Sequence, residues 1–334
     1  MHKEEAMRMI EKTRREEIIR VESLKKHFQV EHGFLKEKKT LKAVDGVTFE
    51  IGKGETFGVV GESGCGKSTL GRTITRLYDA TEGQIYFQGT DISNLKGKQL
   101  HPYKKKMQII FQDPYSSLNP SMNVREILSE PLEIHLNLSR EALEHKIRES
   151  LEIVGLDASS IEKFPHEFSG GQRQRLGIAR AISVEPDFIL CDEPISALDV
   201  SIQAQIINQL ETIQEKLGIS YLFIAHDLSM VKHISHRIGV MYLGKMVEIA
   251  DSTSLYKEPL HPYTKGLLQS IPRIGSESDF ENILFGDLPN PVDLPTGCRF
   301  RTRCKYAKKV CAEIEPTMIN ISPSRQVACH LYSE

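Results

Sequence analysis

The stretch that decides the fold is Gly61-Glu62-Ser63-Gly64-Cys65-Gly66-Lys67-Ser68-Thr69, with the pattern G-x-x-x-x-G-K-S. It follows an apolar, strand-like run, Thr56-Phe57-Gly58-Val59-Val60. Backbone N–H groups of such a loop form a concave anion site, and the positive end of the following helix strengthens it. Glycines are needed because a Cβ would clash where backbone meets phosphate. The pattern predicts a P-loop, in which Lys67 reaches the β- and γ-phosphates of a nucleotide and Ser68 binds Mg²⁺.

The composition is ordinary for a soluble globular protein. The 334 residues are 40% apolar and 26% charged, which is enough for one large or two moderate domains. A formal net charge of −2 gives no bulk attraction to nucleic acid or to an anionic membrane. No apolar run approaches the roughly 18 residues that span a bilayer. The first 17 residues lack the apolar core of a secretory signal, so we expect a short N-terminal extension, residues 1–18, on a cytoplasmic protein.

Strand-like and helical patterns alternate along the chain. Between 119 and 184 the apolar positions recur at helical spacing, as in Leu143-Ile147-Leu151-Val154. This order predicts a parallel α/β sheet with an inserted helical subdomain, followed after a proline-rich linker at 259–295 by a small C-terminal module. Strands are predicted at 43–51, 55–60, 84–88, 107–111, 188–191, 221–224 and 238–243, and a helix from about 67 to 78.

Two further motifs carry chemistry. Phe188-Ile189-Leu190-Cys191-Asp192-Glu193 is an apolar strand that ends in two carboxylates, where an open α/β sheet binds its ligand. We expect Asp192 to hold Mg²⁺ and Glu193 to polarise the attacking water. Ser169-Gly170-Gly171-Gln172 precedes an apolar helix, and Ser169 is a good N-cap. A turn of this kind at a helix N-terminus also predicts a second anion site.

With these motifs the chain resembles the ATP-binding-cassette (ABC) family over about residues 20–330. The resemblance places Phe168 where Leu is usual in the signature sequence. It also identifies Gln112 in Phe111-Gln112-Asp113-Pro114 with the Q-loop, which senses Mg²⁺ and the membrane subunit. Asp199 in Ser196-Ala197-Leu198-Asp199 matches the D-loop, and His226 in Ile224-Ala225-His226-Asp227 matches the switch histidine on the γ-phosphate.

The resemblance implies a P-loop NTPase fold of the ABC nucleotide-binding type. This fold has a RecA-like α/β core, an antiparallel β subdomain and an inserted helical subdomain, here over residues 19–258 with the helical part at about 119–184, and the C-terminal module at 259–334. Either Phe28 or His27 would stack on adenine, although 28–42 resembles an insertion. Catalysis would fall to Glu193, His226 and Gln112, with Mg²⁺ held by Ser68, Gln112 and Asp192. Residues implied to bind ATP are Gly61, Ser63, Gly64, Cys65, Gly66, Lys67, Ser68, Thr69, Gln112, Asp192, Ser169, Gly170, Gly171, Gln172 and Asp199.

Longer matches point to one branch of the family. Gln112 to Pro120, Ala197 to Gln205 and Leu260-His261-Pro262-Tyr263-Thr264 resemble the oligopeptide/dipeptide importers, and within them the second ATP-binding subunit, labelled F. The resemblance implies a homologous ATP-binding partner, as a heterodimer, under two transmembrane permeases that a peptide-binding protein serves. It places the chain at the cytoplasmic face of a prokaryotic cell membrane.

Two other classes of protein share part of this pattern. Some ABC ATPases of this branch are soluble accessories of enzyme complexes, such as those for phosphonate breakdown, and they share every ATPase motif. Association with multi-span permeases discriminates between the two. A P-loop kinase or GTPase is disfavoured, because neither needs Ser169 to Gln172 and the chain has no Asn-Lys-x-Asp motif.

Four of the six cysteines fall near the C-terminus with the spacing C-x5-C-x6-C-x17-C: Cys298, Cys304, Cys311 and Cys329. In a cytosolic chain such a group favours metal over disulfides. The spacing lacks the tight pairs of structural zinc sites and differs from ferredoxin spacings. The residues alone leave zinc, a cluster or unligated thiols open. The family resemblance implies a structural [4Fe–4S] cluster, whose negative charge the neighbouring arginines and lysines of 299–309 would offset.

Overall fold

The fold was analysed in a computed structural model that describes residues 16–32, 37–270 and 288–333. Most of the predicted N-terminal extension, and residues 271–287 of the predicted linker, lie outside the described residues. The described chain divides into two compact units. The first contains residues 16–22, 49–55 and 84–222, and the second contains the rest. The predicted boundary at 258/259 falls inside the second unit.

The strands and helices follow the predicted alternation. The strands are β1 Glu17–His32, β2 Glu37–Gly52, β3 Thr56–Val60, β4 Glu82–Phe87, β5 Thr90–Asp91, β6 Met107–Ile110, β7 Phe188–Asp192, β8 Ser220–Ile224, β9 Arg237–Tyr242, β10 Lys245–Asp251, β11 Ile319–Ser322 and β12 Arg325–Val327. The helices are α1 Lys67–Ile74, α2 Gly97–Lys106, α3 Pro114–Ser117, α4 Val124–His135, α5 Arg140–Ile153, α6 Gly170–Ile182, α7 Val200–Leu217, α8 Leu228–Ile234, α9 Ser252–Lys257, α10 Pro262–Gln269 and α11 Val310–Glu313. Short 3₁₀ helices lie at Ala158–Glu162 and Pro165–Glu167.

The first unit contains a parallel strand pair and the predicted helices. Strands β6 and β7 pair in parallel, with Ile110 opposite Cys191, and the N–H of Ser220 donates to the Asp187 carbonyl, which brings the start of β8 beside β7. Strand β7 is buried along its whole length, as expected for a parallel strand covered on both faces. Helix α6 packs against α3, α4, α5 and β6.

The second unit contains a sheet with the order β11-β12-β10-β9-β3, next to the end of β8. Strands β3 and β9 pair in parallel, and the pairings from β9 to β11 are antiparallel. A Cβ on Gly58 of β3 would lie 2.5 Å from Ser235 Oγ and 2.6 Å from Val231 Cγ1. Glycine at this position therefore lets α8 pack directly on β3, beside the predicted P-loop.

Strand β1 is the main element that the sequence patterns missed. It begins at Glu17, inside the predicted extension, and β2 begins at Glu37, inside the predicted insertion at 28–42. Strand β1 carries charged residues at short intervals, yet Ile18, Ile19, Val21 and Leu24 are buried. Two adjacent buried isoleucines break the alternation by which a half-buried strand is recognised.

A buried ion pair fixes the cysteine-rich module on β2 within the second unit. The Arg299 guanidinium donates to Asp45 and to the Leu243 carbonyl, and its Nε lies 3.3 Å from Glu315 Oε1. Asp45 and Arg299 are 7% and 8% exposed. Burial acts to raise the pKa of Asp45, but the charge and hydrogen bond of Arg299, together with Lys245 and His27, outweigh burial and lower it. A salt bridge of this kind, which closes a 254-residue separation, contributes to stability only while both charges are present.

We expect Asp45→Asn to lower the free energy of unfolding by on the order of 2 kcal/mol, because it leaves a buried arginine without its main partner. Since the pKa of Asp45 is lowered on folding, its contribution is complete above the ordinary carboxyl pKa of about 4 and disappears as the pH falls through the folded value. Urea unfolding between pH 3 and 7 measures both effects.

Glu82→Gln is the matched control, because Glu82 forms an exposed pair with Lys25 (2.6 Å) in the same unit. We expect little change in this variant. An Asp45→Asn protein with the wild-type stability at pH 7 contradicts a stabilising role for the pair.

Candidate functional site

The phosphate-binding loop of the second unit joins β3 to α1. Gly61, Gly64 and Gly66 have φ values of +152°, +77° and +108°, in the left-handed region that favours glycine. A Cβ on Gly61 would lie 2.2 Å from the Met241 carbonyl, and one on Gly66 would lie 2.0 Å from the Ala43 carbonyl. These two glycines therefore allow the loop to sit against the backbones of β9 and β2. The loop has the conformation that the P-loop pattern predicts.

Lys67 begins α1 and is 4% exposed. Its Nζ donates to the carbonyls of Gly61 (2.8 Å) and Glu62 (3.0 Å), so its charge is held inside the loop. Ser68 and Thr69 follow it in the first turn of the helix and are partly exposed, whereas Ser63 and Gly64 are exposed. Cys65 is buried, which raises the pKa of its thiol and disfavours thiolate chemistry there.

His226 follows β8 at the same edge of the second unit's sheet as the P-loop. The N–H of Ala225 donates to the Val59 carbonyl (3.3 Å), so the residues after both strands emerge side by side. His226 is exposed, and Asp227 caps α8 by accepting the Ser229 N–H (2.7 Å). This edge is where open α/β sheets bind their ligands.

The two candidates for adenine stacking have different environments. His27 Nε2 lies 3.0 Å from Asp45 Oδ1, so its ring is hydrogen-bonded. The Phe28 ring packs edge-on against Tyr78, with ring centroids 5.9 Å apart. The Lys26 ammonium also lies 4.9 Å from the Phe28 ring centroid, so both candidate rings have partners and the stacking residue stays a prediction.

In the first unit, Gln112 and Glu193 meet at the ends of β6 and β7. The parallel register places both residues two positions beyond paired residues. Gln112 Nε2 donates to Glu193 Oε2 at 2.7 Å. Glu193 has φ +50°, an uncommon conformation for a residue other than glycine and one that often marks active sites. Asp192, the last residue of β7, is fully buried. The structure thus joins the predicted side chains of Gln112 and Glu193, and Asp192 precedes Glu193 in the chain.

The signature turn is a complete helix cap in the first unit. Ser169 Oγ accepts the Gln172 N–H (3.3 Å), and Gln172 Oε1 accepts the Ser169 N–H (3.0 Å), the reciprocal arrangement of a capping box. Ser169 and Gln172 are exposed, and Phe168 is 5% exposed in the preceding position. The usual Leu is therefore replaced by another buried apolar side chain.

The D-loop packs on this turn. A Cβ on Gly171 would lie 2.7 Å from Ile202 Cγ2 of α7, and one on Gly170 would lie 3.6 Å from Leu198. Gln203 Nε2 donates to the carbonyls of Ile195 and Leu198, both at 3.0 Å, and fixes the loop that ends at the exposed Asp199. The signature and the D-loop form one rigid surface.

The Q-loop is also connected to the signature helix α6. The Arg173 guanidinium lies 3.8 Å from the Tyr115 ring centroid, and Arg180 Nη1 donates to the Ser117 carbonyl (2.6 Å). These contacts, which the sequence patterns did not reveal, connect α3 to the helix that carries the signature turn. A displacement at Tyr115 would reach the signature turn through α6.

Comparison with known proteins agrees with this geometry. Residues 44–196 match the family profile described as "ABC transporter", and residues 247–311 match "Oligopeptide/dipeptide transporter, C-terminal region". The chain belongs to the oligopeptide/dipeptide branch of the ABC transporter ATP-binding proteins. The branch predicted from the sequence is confirmed.

Similar proteins cover nearly the whole chain. The putative oligopeptide transport ATP-binding protein YkfD of Bacillus subtilis is 56% identical over 96% of this chain and 97% of its own length. The oligopeptide transport ATP-binding protein AppF of the same organism is 52% identical over 95% and 98%. Among solved structures, a dimeric post-hydrolysis state of the ATP-binding cassette MJ0796 with ADP and phosphate is 26% identical, with a TM-score of 0.62 over 70% of this chain and 98% of that one. The ABC ATPase fold is thereby confirmed.

The four C-terminal cysteines of this ABC protein line one small cavity of about 10 Å³ in the second unit. Burial raises the pKa of Cys298 to about 11, and it also raises the pKa values of Cys304 and Cys329. Backbone N–H groups donate to these three sulfurs, and the Lys308 N–H donates to Cys311 Sγ (3.4 Å). All six cysteines of the chain are free thiols.

Two of the basic residues predicted to offset the charge of a cluster pair with carboxylates instead. Arg299 pairs with Asp45 and Glu315, and Arg303 pairs with Glu62 of the P-loop. Both arginines are buried, so they serve contacts outside the cysteine cavity. The sequence patterns missed the pairs with Asp45 and Glu62, since each joins residues more than two hundred positions apart.

The Leu-His-Pro-Tyr-Thr segment, identified from the sequence only as a family mark, has a structural role. Burial lowers the pKa of His261 to about 3, so its ring is neutral, and its Nδ1 accepts the Tyr263 N–H at the start of α10. Tyr263 is fully buried, and its hydroxyl accepts the Glu62 N–H (2.8 Å). The segment therefore supports the P-loop.

Within the described part of the chain, no helix is both long and apolar enough to cross a membrane.

Proposed function

We propose that this chain binds and hydrolyses ATP to power peptide import through an ABC transporter. Two observations, one in each unit, carry the proposal: the P-loop closed around Lys67, and the hydrogen bond that Gln112 donates to Glu193 at the ends of β6 and β7. The names of the similar proteins, which are oligopeptide transport ATP-binding proteins, favour peptide import over a soluble accessory of an enzyme complex.

In this proposal the P-loop binds the triphosphate. Backbone N–H groups of Ser63 to Thr69 cradle the phosphates, and Lys67 exchanges its two carbonyl partners for β- and γ-phosphate oxygens. The buried Lys67 charge is suited to this exchange because a phosphate is a stronger acceptor than a carbonyl. Mg²⁺ bound with ATP neutralises developing charge, and Ser68, Asp192 and Gln112 would hold it.

Hydrolysis then needs a positioned water. Glu193 accepts the proton of the water that attacks the γ-phosphorus, and the bond from this phosphorus to the bridging oxygen breaks to give ADP and phosphate. The Gln112 amide orients Glu193 through the bond that it donates. His226 donates to the γ-phosphate and completes the shell. Asp199 and the signature residues Ser169 to Gln172 would bind the ATP held by a second subunit.

We infer the partners from the same family. A homologous ATP-binding subunit, two transmembrane permeases and an extracytoplasmic peptide-binding protein would complete the importer, with this chain at the cytoplasmic face of the membrane. The exposed signature turn supports a paired arrangement, and the similar cassette MJ0796 is dimeric. Contacts from Tyr115 to α6 supply a route from a permease to the signature.

We expect Glu193→Gln to bind ATP almost normally and to lose at least about 100-fold in turnover, because the shape is kept and the proton acceptor is removed. Phosphate release by the assembled complex measures turnover. Glu185→Gln is the matched control, since Glu185 is an exposed glutamate that also has a positive φ (+54°). Hydrolysis by Glu193→Gln at the wild-type rate would refute the assignment of the base.

Ser169→Arg is expected to leave ATP binding at this chain's own P-loop unchanged and to abolish cooperative turnover, because it places a bulky side chain at the shared site. Ser139→Arg, the same change at the exposed N-cap of α5, controls for the lost cap, which costs about 1 kcal/mol. ATP affinity and complex turnover are measured together. Full ATPase activity of Ser169→Arg would exclude the signature from the site.

We further propose that the four cysteines hold one [4Fe–4S] cluster. The support is that all four line one cavity and that each sulfur accepts a backbone N–H, a contact that stabilises thiolate ligands. The raised thiol pKa values mean that deprotonation requires a cationic centre. The cluster would cross-link and stabilise a module that is too small to form a hydrophobic core of its own.

Zinc is the alternative for the same residues. A tetrahedral zinc site with Zn–S bonds of about 2.3 Å would hold its sulfurs about 3.8 Å apart. No group of three or more His, Cys, Asp or Glu side chains in the described residues is arranged to hold a metal ion. This finding supports neither zinc nor a cluster, so the proposal rests on the cavity that the four cysteines share.

Anaerobically purified protein is expected to be brown and to contain about four irons per chain. Cys304→Ser should lose the colour and most of the iron, whereas Cys191→Ala, at a buried cysteine of the first unit, should keep both. Iron, sulfide and zinc analysis makes the measurement. One equivalent of zinc in colourless protein would replace the cluster by zinc, and metal-free folded protein would exclude both.

A further inference from the structure

The cysteine-rich module contacts the P-loop through one arginine. Arg303, directly before Cys304, donates from Nη1 and Nη2 to the two carboxylate oxygens of Glu62 at 2.7 and 3.0 Å. Arg303 is 6% exposed, and its guanidinium lies 5.9 Å from the Tyr242 ring centroid. A bidentate pair with a planar guanidinium fixes direction as well as distance. Glu62 is therefore held in one orientation by a residue 241 positions away.

Glu62 is also held by its backbone. Its N–H donates to the Tyr263 hydroxyl (2.8 Å), and its carbonyl accepts from Lys67 Nζ (3.0 Å). The Tyr263 ring packs on Tyr242 and on Phe300 of the module, with ring centroids 4.6 and 5.5 Å apart. Each polar group of Glu62 thus has a partner, and one of these partners is the lysine of the P-loop. A shift of Glu62 would move Lys67.

The charge of Glu62 has a consequence for the ligand. A carboxylate on a loop that binds a triphosphate repels that ligand, and partial burial of the Glu62 side chain (27% exposed) reduces the screening of this repulsion. Arg303 cancels this charge where it arises. Arg301, two positions earlier in the same module, instead donates to the carbonyl and hydroxyl of Thr296 and remains within the module.

We infer that Arg303 is a positioning residue for ATP binding, acting through Glu62 to neutralise and orient the phosphate-binding loop. The inference rests on the P-loop assignment of the proposed function. It makes the cysteine-rich module a part of the nucleotide site. The sequence analysis predicted only a structural cluster for this module, and the inference adds a role in ATP binding.

The test measures ATP affinity of the full-length chain by calorimetry with Mg²⁺ and a non-hydrolysable ATP analogue. Arg303→Gln should weaken binding about tenfold, because it leaves the Glu62 carboxylate uncompensated. Arg303→Lys, which keeps the charge without the fork, should fall between this variant and wild type. Arg301→Gln is the matched control and should bind like wild type.

The double variant separates positioning from stability. Glu62→Gln combined with Arg303→Gln should recover most of the affinity that Arg303→Gln loses, since the repelling carboxylate is gone. If the Arg303–Glu62 pair only anchored the module, the double variant would bind ATP no more tightly than Arg303→Gln. Such a result, or wild-type affinity for Arg303→Gln, overturns the inference.

Lys67→Ala separates the role of Arg303 from the P-loop assignment. Loss of binding in Lys67→Ala with normal binding in Arg303→Gln refutes only the role of Arg303. Normal binding in Lys67→Ala refutes the P-loop assignment itself. If Arg303→Gln does not yield folded protein, Arg303→Lys decides: weakened binding supports the inference, and wild-type affinity overturns it.

Discussion

The conformation of the P-loop in the second unit depends on the close approach of two glycines to neighbouring backbones. Gly61 lies against the carbonyl of Met241, and Gly66 against that of Ala43, with no room for a Cβ at either place. These contacts fix both ends of the P-loop to β9 and β2. Because the loop is clamped at its ends, Lys67 can be buried and still turn its ammonium group into the loop. The proposed anion site would therefore be formed before any ligand arrives, which lowers the cost of ordering on binding.

The position of the proposed catalytic side chains in the first unit follows from the register of β6 and β7. Parallel pairing of β6 and β7 brings Gln112 and Glu193 to one edge, where a single hydrogen bond joins them. The left-handed backbone of Glu193 directs its side chain away from the strand path, at a conformational cost that functional sites commonly carry. The Q-loop, the signature helix and the D-loop then connect through Arg173, Arg180 and Gly171. In the proposed importer, such a connected surface would transmit a movement at a permease contact to the signature turn.

The sequence predicted the parts of this fold that local patterns encode. Spacing and residue type predicted the P-loop, the acidic end of β7 and the capped helix at Ser169, and the resemblance to a known family supplied its branch. Strand β1 was missed because its buried residues do not alternate, and α1 ends at Ile74, before the predicted Tyr78, where Arg76 adopts a φ of +58°. The contacts of Asp45 with Arg299 and of Glu62 with Arg303 had no local signal, since a salt bridge across some 250 positions depends on the tertiary fold. Such contacts decide whether the cysteine-rich module is separate from the nucleotide site.

The most direct measurement is an experimental structure of the full-length chain carrying Glu193→Gln, with ATP and Mg²⁺ bound. The central claim predicts that Lys67 Nζ leaves the carbonyls of Gly61 and Glu62 for phosphate oxygens, while the Arg303–Glu62 ion pair and the Tyr263 contact stay in place. A triphosphate bound away from the P-loop, or a P-loop occupied by ATP with the Arg303–Glu62 pair broken, would contradict it.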